Sequence, residues 1–226
     1  MNRPAAKKPG SGWQRHIFYR KESLRTTWKL RLAVILLPVL VLGGTRGFWS
    51  KKISQTLTCV EQSRPSDSLL LENFDPSYLI FERARALQKA GIAERIVVPV
   101  SAGKDPETPN AVDKGVAELM ARIAHISQFE LIPVKEIEPI SLNAAIQIRD
   151  FFTAERVRSV VVVSPAFRSS RSMLVYSSVF APAGISVGCV PVFDRTDREW
   201  TDTWHGRQET GLQFLKFLYY RFYILL

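Results

Sequence analysis

This chain has little of what most catalytic signatures are made of. It holds only two cysteines and three histidines in 226 residues. Cys59 and Cys189 make no disulfide framework, and no Cys/His cluster has metal-ligand spacing. His16, His125 and His205 are far apart, so no histidine stands beside a sequence-local nucleophile. Gly-x-Ser-x-Gly is absent, which argues against a nucleophile elbow at Ser164. Ser101-Ala102-Gly103-Lys104 has the flavour of a phosphate loop but lacks the Walker spacing. No internal repeat is visible, and no cysteine stands at a lipoprotein-like position. The two thiols are read as buried and free, with a bridge allowed in an oxidising compartment.

Acids are scarce at one end. Residues 1–52 hold 12 Lys/Arg and one acid, while residues 53–226 hold 19 Lys/Arg and 20 Asp/Glu. The net charge of +10 therefore belongs to the N-terminus. The remainder is near neutral and lacks the basic footprint of a nucleic-acid-binding domain.

The basic stretch brackets an apolar run, Leu32 to Leu42, extended by Gly43-Gly44-Thr45. The run alone is shorter than the roughly 20 residues of a membrane span. Trp28 and Trp49, however, would stand about 31 Å apart on one helix, as interfacial tryptophans do. Arg31 and Arg46 would snorkel, and Pro38 is tolerated in such a helix. The reading is a signal anchor. Positive charge is concentrated before the run, which places the N-terminus in the cytoplasm. The protein is then expected in the inner membrane, single-pass, with its C-terminal domain outside the cytoplasm, in a periplasm if the source is a Gram-negative bacterium. The expected organisation is a basic disordered tail over 1–27, a transmembrane segment over 28–49, a connector over 50–66 and an α/β domain over 67–226.

From Asp67 the pattern alternates five times between apolar runs and helical periodicity. Strands are predicted over Ser68–Glu72, Arg95–Val100, Phe129–Val134, Arg158–Val163 and Ile185–Val192. Helices are predicted over Pro76–Ala90, Asn110–Ile126, Ser141–Ala154 and Phe167–Val179, closing with Trp204–Phe222. Ser141 is a plausible N-cap. Val112, Val116, Leu119, Met120 and Ile123 mark the apolar face of the second helix. This is the signature of a Rossmann-like three-layer α/β sandwich with a mainly parallel five-stranded sheet, preceded by one transmembrane helix.

Ligands bind such sheets at the carboxyl edge of the strands. The loops expected there carry Glu72, Asn73 and Asp75, then Ser101 and Gly103, then Glu138, Ser141 and Asn143, then Ser164, Arg168 and Arg171. Val160-Val161-Val162-Val163 followed by Ser164-Pro165 is the most telling stretch. It places Arg168 and Arg171 on one face in the first turns of a helix, where cations are unfavourable without an anion. Together they clamp a phosphate or carboxylate. The plain alternative is a pair of solvated or ion-paired arginines. Glu72 and Asp75 fit either acid/base groups or dipole-stabilising acids.

Several of these pieces, in this order, resemble the YdcF/ElyC/SanA family. Pro65 to Leu71 looks like its opening proline, aspartate and strand. Arg83, Ala86-Leu87 and Gly91 resemble its first helix, and Ile96–Val100 with Ser101 and Gly103 its second strand and turn. Glu118 falls where the family has a helical glutamate. Glu138-Pro139-Ile140-Ser141-Leu142-Asn143 resembles its E-x-x-S-x-N stretch, and Ser164 with Arg171 its T-S-x-x-H-x-x-R-A stretch. Trp204, Glu209 and Leu218-Tyr219-Tyr220 look like its closing segment. The resemblance implies an envelope-associated α/β domain with a role in lipid-carrier metabolism, and admits S-adenosylmethionine as a cofactor. The chain departs from the family where a glycine-rich turn is replaced by Glu72-Asn73-Phe74-Asp75 and a histidine by Arg168. Arginine stays protonated, so acid–base cycling at that position is not carried over.

The leading expectation is a membrane-anchored envelope protein that binds or processes an anionic small molecule or lipid-linked intermediate. The competing one is a non-catalytic interaction module of an envelope or polysaccharide-export assembly, with protein partners there. A third is a phosphate-ester hydrolase using Glu72, Asp75 and a divalent metal.

Overall fold

The computed structural model describes residues 28–74, 77–194, 197 and 199–224. The basic tail and Asp75 lie outside these residues. The chain divides into two compact units, residues 1–46 and 47–226.

The first unit contains α1 (Trp28–Gly44), which carries Pro38 in its interior. A second helix, α2 (Arg46–Leu57), follows after Thr45. The single continuous helix expected from Trp28 to Trp49 is thus two helices. The interruption falls at Thr45, directly after Gly43-Gly44, which weaken the end of α1 because glycine is a poor helix former. Among the described residues no single helix is long and apolar enough to cross a membrane. Leu30–Val41 and Arg46–Leu57 meet that requirement only as a broken pair.

The second unit is an α/β fold. Its elements are β1 (Ser68–Leu71), α3 (Tyr78–Lys89), β2 (Arg95–Ser101), α4 (Ala111–Ile123), β3 (Glu130–Val134), α5 (Ile140–Ala154), β4 (Ser159–Pro165), α6 (Ala166–Phe180), β5 (Ser186–Val192) and α7 (Trp204–Tyr219). A 3-10 turn, Ala181–Ala183, follows α6, and a π-helical turn, Tyr220–Ile224, follows α7. The five strands form one all-parallel sheet in the order β3-β2-β1-β4-β5.

Alternation along the central strands builds the two cores. Leu69, Leu71, Val161 and Val163 face α3 and α4, with Ile80, Phe81 and Ala84 packed on them. Leu70, Val160 and Val162 face α5 and α6, against Ile148, Phe152, Val175 and Phe180. Such two-sided burial explains why these strands read as unbroken apolar runs.

Two helix readings are corrected. On α4 the buried residues are Ala117 and Ala121, whereas Val112, Leu119 and Ile123 are exposed. The helix turns its small residues to the sheet, so its larger aliphatics fall on the flank. On α5 the N-cap is Pro139 rather than Ser141. The Pro139 carbonyl accepts the amides of Leu142 and Asn143, which puts Ser141 inside the first turn.

The segment over 50–66 belongs to the folded unit instead of linking to it. Leu57 is fully buried in a satellite cluster with Ala166 and Phe167, and Ile53, Trp200, Phe214 and Phe217 pack on it. Trp200 Nε1 donates to Ser54 Oγ at 3.0 Å. The chain then runs along the β5 edge, where Gln62 N–H donates to the Cys189 carbonyl at 2.8 Å. Cys59 and Cys189 are joined by a disulfide across 130 positions, with Cα atoms 6.5 Å apart. This overturns the reading of two free thiols, because the connector lies directly against the edge strand.

Candidate functional site

The strand order reverses between β1 and β4. The chain leaves β1 toward β2 and β3 on one side, then returns to place β4 and β5 on the other. The crevice beyond the carboxyl ends of strands at such a reversal is where open α/β sheets hold ligands. Here the crevice is lined by polar side chains, Glu72, Asn73, Ser164 and Arg171, that are largely buried. β1 is extended one step by Glu72, whose amide donates to the Val163 carbonyl at 2.9 Å. Glu72 has the parity of Leu70, and Ser164 that of Val162, so both point to the side covered by α6.

Glu72 is buried at 4% exposure and accepts a 2.5 Å hydrogen bond from Ser172 Oγ on α6. The same hydroxyl lies 3.2 Å from the Arg168 carbonyl, one helical turn back. Arg171, on the same helix, is 8% exposed. Its guanidinium stands over the Tyr220 ring, 5.9 Å from the centroid. Burial lowers the Arg171 pKa, and the Glu72 charge partly restores it. Tyr176, buried beneath, has its phenol pushed well above its usual range by burial first and then by Glu72. Both shifts have burial as their first cause and so describe one poorly solvated environment around Arg171 and Tyr176.

Three buried polar atoms around this crevice have no hydrogen-bond partner among the described residues: Asn73 Oδ1, Ser164 Oγ and Arg171 Nε. An unmade bond of this kind costs on the order of 1–3 kcal/mol. A fold retains several together at little profit unless something else satisfies them.

Arg171 opens into a groove of about 490 Å³ that is also lined by Glu138, Ser141, Lys216, Tyr219 and Tyr220. The first turn of α5 supplies one wall. Two cationic side chains and a helix start therefore meet at one surface, with Glu138 as the opposing charge.

The remaining expected residues are distributed elsewhere along the edge. Ser101 and Gly103 line a separate groove of about 610 Å³. Ser101 Oγ bonds Glu136 at 3.0 Å, and the Gly103 amide donates to the Thr108 carbonyl at 2.7 Å. Asn73 and Ser101 share a small crevice of about 170 Å³. Asn143 turns back on its own loop, donating from Nδ2 to the Ile137 carbonyl at 3.1 Å. Gln147 reinforces that loop by pairing with both the amide and the carbonyl of Lys135. Arg168 lines a third pocket, apart from the Arg171 groove. The two arginines thus serve different cavities, although they share a helix.

Sequence reasoning did not single out Ser172, Lys216 or Tyr220 as site residues. Ser172 lies one turn beyond Arg168, so helical spacing was the available signal. Lys216 and Tyr220 come from α7 and its end, and nothing local in sequence ties them to Arg171. Among the described residues no group of three or more His, Cys, Asp and Glu side chains is arranged to hold a metal ion.

Fold and site together define an α/β protein with an all-parallel five-stranded sheet and a polar crevice at its topological switch point. Comparison with protein-family models, with curated proteins and with solved structures gives no match.

Proposed function

We propose that this chain is a membrane-anchored cell-envelope protein whose α/β domain binds an anionic small molecule, or the anionic headgroup of a lipid-linked intermediate, in the Arg171 groove. The observation that carries the reading is Arg171 itself. It is a buried guanidinium with an unpartnered Nε, and no carboxylate among the described residues forms an ion pair with it. Lys216 and the start of α5 face the same space. A phosphate or carboxylate placed there gains charge-assisted hydrogen bonds and relieves a desolvated cation.

Two further observations support the location. The apolar side chains of α1, including Ile35, Leu37 and Leu40, are exposed, and a lipid environment would cover them. The Cys59–Cys189 disulfide fits an oxidising compartment, which agrees with a domain outside the cytoplasm. The all-parallel sheet is of the kind that the YdcF/ElyC/SanA resemblance implies. Binding is favoured over acid–base chemistry because Arg168 replaces the family's histidine.

The test is a thermal-shift titration of the full chain in detergent with inorganic phosphate, pyrophosphate and a short-chain polyprenyl phosphate. One of these is expected to stabilise the protein. Arg171→Ala removes bonds worth about 1.5–3 kcal/mol and weakens that binding roughly 10- to 150-fold. Unchanged affinity in Arg171→Ala, or no stabilisation by any of the three, defeats the proposal.

A further inference from the structure

The last helix is inverted for a helix on the surface of a domain. The buried residues of α7 are Gly206, Thr210 and Gln213, and Tyr220 is buried in the turn that follows. Leu212, Leu215, Tyr219, Phe222 and Tyr223 are instead exposed, by 45–75%. These five recur at spacings of three and four, so they form one apolar stripe along α7 and the π-helical turn. Phe214 and Phe217 do pack inward, on the satellite cluster around Leu57.

The helix is held at both ends, so the stripe is not free to roll inward. A Cβ on Gly206 would stand 2.7 Å from the main chain of Trp200, which shows how closely that face approaches its neighbour. Thr203 caps the same end by accepting the Gly206 amide at 3.0 Å. At the other end the Tyr220 ring lies under the Arg171 guanidinium. On the outer side Tyr219 and Tyr223 stack on each other, with centroids 5.3 Å apart and planes inclined by 25°.

Charge indicates what covers the stripe. From Thr210 to Leu226 the sequence carries Lys216 and Arg221 and no Asp or Glu. Lys216 borders the Arg171 groove, while Arg221 borders a different groove of about 550 Å³ that Met173, Leu174 and Phe217 also line. A cation thus stands on each side of α7. A twofold contact between two copies through this stripe would set like charges together. An anionic lipid surface attracts both cations instead. Leucine, phenylalanine and tyrosine on one face, with Lys or Arg beside them, is the composition of a helix that lies in the headgroup region. The exposed aliphatics of α4 differ, because Asp113 and Glu118 there offset Lys114 and Arg122. With 16 residues, α7 is shorter than a span.

We propose that α7 and the turn after it lie on the surface of an anionic membrane. Leu212, Leu215, Tyr219, Phe222 and Tyr223 enter the interfacial layer, and Lys216 and Arg221 reach its headgroups. Lys216 and Tyr219 also line the groove that holds Arg171, where cations outnumber Glu138. Docking therefore brings the mouth of that groove to the level of the headgroups. The inference rests on the membrane-anchored reading above and adds how the domain meets the bilayer.

The experiment places an environment-sensitive nitrobenzoxadiazole label on the full chain at Leu215→Cys, and in a second protein at Phe222→Cys. A third, Leu119→Cys on α4, reports mere tethering near the bilayer. Each is reconstituted into vesicles of equal parts phosphatidylcholine and phosphatidylglycerol, with and without a lipid carrying a nitroxide near its headgroup. Strong quenching at positions 215 and 222, and little at 119, is expected. Replacing phosphatidylglycerol by phosphatidylcholine should weaken it. Lys216→Glu with Arg221→Glu should lower the ratio of docked to undocked protein by a factor of about five or more. The inference is overturned by equal quenching at all three positions, by none at 215 and 222, or by quenching indifferent to both anionic lipid and charge reversal. It is also overturned by a blue shift that follows the protein-to-lipid ratio instead of lipid composition, which would mark a second copy as the occupant. Phosphate-induced thermal shift of the labelled proteins separates the two readings. Absent quenching with phosphate binding intact defeats docking alone, whereas absent phosphate binding with quenching intact defeats the Arg171 groove alone. A chain that does not enter the vesicles defeats the anchor and the docking together.

Discussion

Reduction of the Cys59–Cys189 disulfide should cost the protein a measurable share of its stability without releasing the connector. In the folded protein the two cysteines are held side by side by other contacts. The Cys59 amide donates to Ser169 Oγ at 2.9 Å, Gln62 donates to the Cys189 carbonyl, and Leu57 is buried four residues after Ile53 in the satellite cluster. The effect of the bridge therefore falls mainly on the unfolded chain, where it closes a loop of 130 positions. Loop-closure entropy for that length amounts to about 5 kcal/mol as an upper value, and measured losses for native bridges run at about 2–5 kcal/mol. For a unit of this size that corresponds to a fall in melting temperature of roughly 4–20 °C. The assay is a pair of urea or thermal denaturation curves of the full chain in detergent, oxidised and then reduced under dithiothreitol. Thiol titration of the unfolded protein from an oxidising compartment reports the bridge directly and should find no free thiol. Coincident curves, with thiol titration confirming reduction, would refute the entropic argument. Two free thiols in protein recovered from that compartment would refute the bridge itself.

Two further outcomes are expected. Gly188→Ala should destabilise the domain by about 1–3 kcal/mol, because a Cβ there would stand 2.6 Å from the Gln62 carbonyl and 3.1 Å from Val161; denaturant midpoints check this, and a neutral effect would show that the connector yields easily. Asp67 takes the amides of Arg158 and Ser159 on one oxygen at 2.8 and 2.9 Å, and the Arg158 amide is the chief reason its pKa lies below the usual carboxylate value. Its contribution is thus present above the unfolded-state value and lost as pH falls through the folded one, so Asp67→Asn should be less stable than wild type at neutral pH and converge with it in acid, as followed by melting temperature against pH.

The central strands were the most legible part of the chain. Val160–Val163 and Leu69–Leu71 are buried on both faces, so hydrophobicity alone marks them. α4 was legible as a helix but not in its orientation. Alanine carries a weak hydrophobic signal, and the contact depends on Ala117 and Ala121 letting the helix approach the sheet. The eye follows Val112, Leu119 and Ile123 instead, and these are the exposed residues. Arg171 was legible as a residue in the first turns of a helix that follows a buried strand, because strand end and helix start coincide in sequence. Its separation from Arg168 was not, since it depends on where α7 lies. The disulfide was hidden for a related reason: it requires the connector to turn back along β5, which no local pattern encodes.

The path of that connector also bears on what the sheet can do to other molecules. A parallel sheet of five strands has two edges, and an open edge is a template for pairing with another chain. The β5 edge is occupied where Gln62 donates to Cys189, so its backbone is engaged by residues of the same chain. The β3 edge carries Pro133 within the strand, opposite Val100, and proline has no amide to offer a further strand. Both borders of the sheet are thereby blunted, one by the protein's own main chain and one by an imino acid. Self-association through strand addition is disfavoured at both, by an edge already paired within the chain and by an edge that lacks an amide to offer.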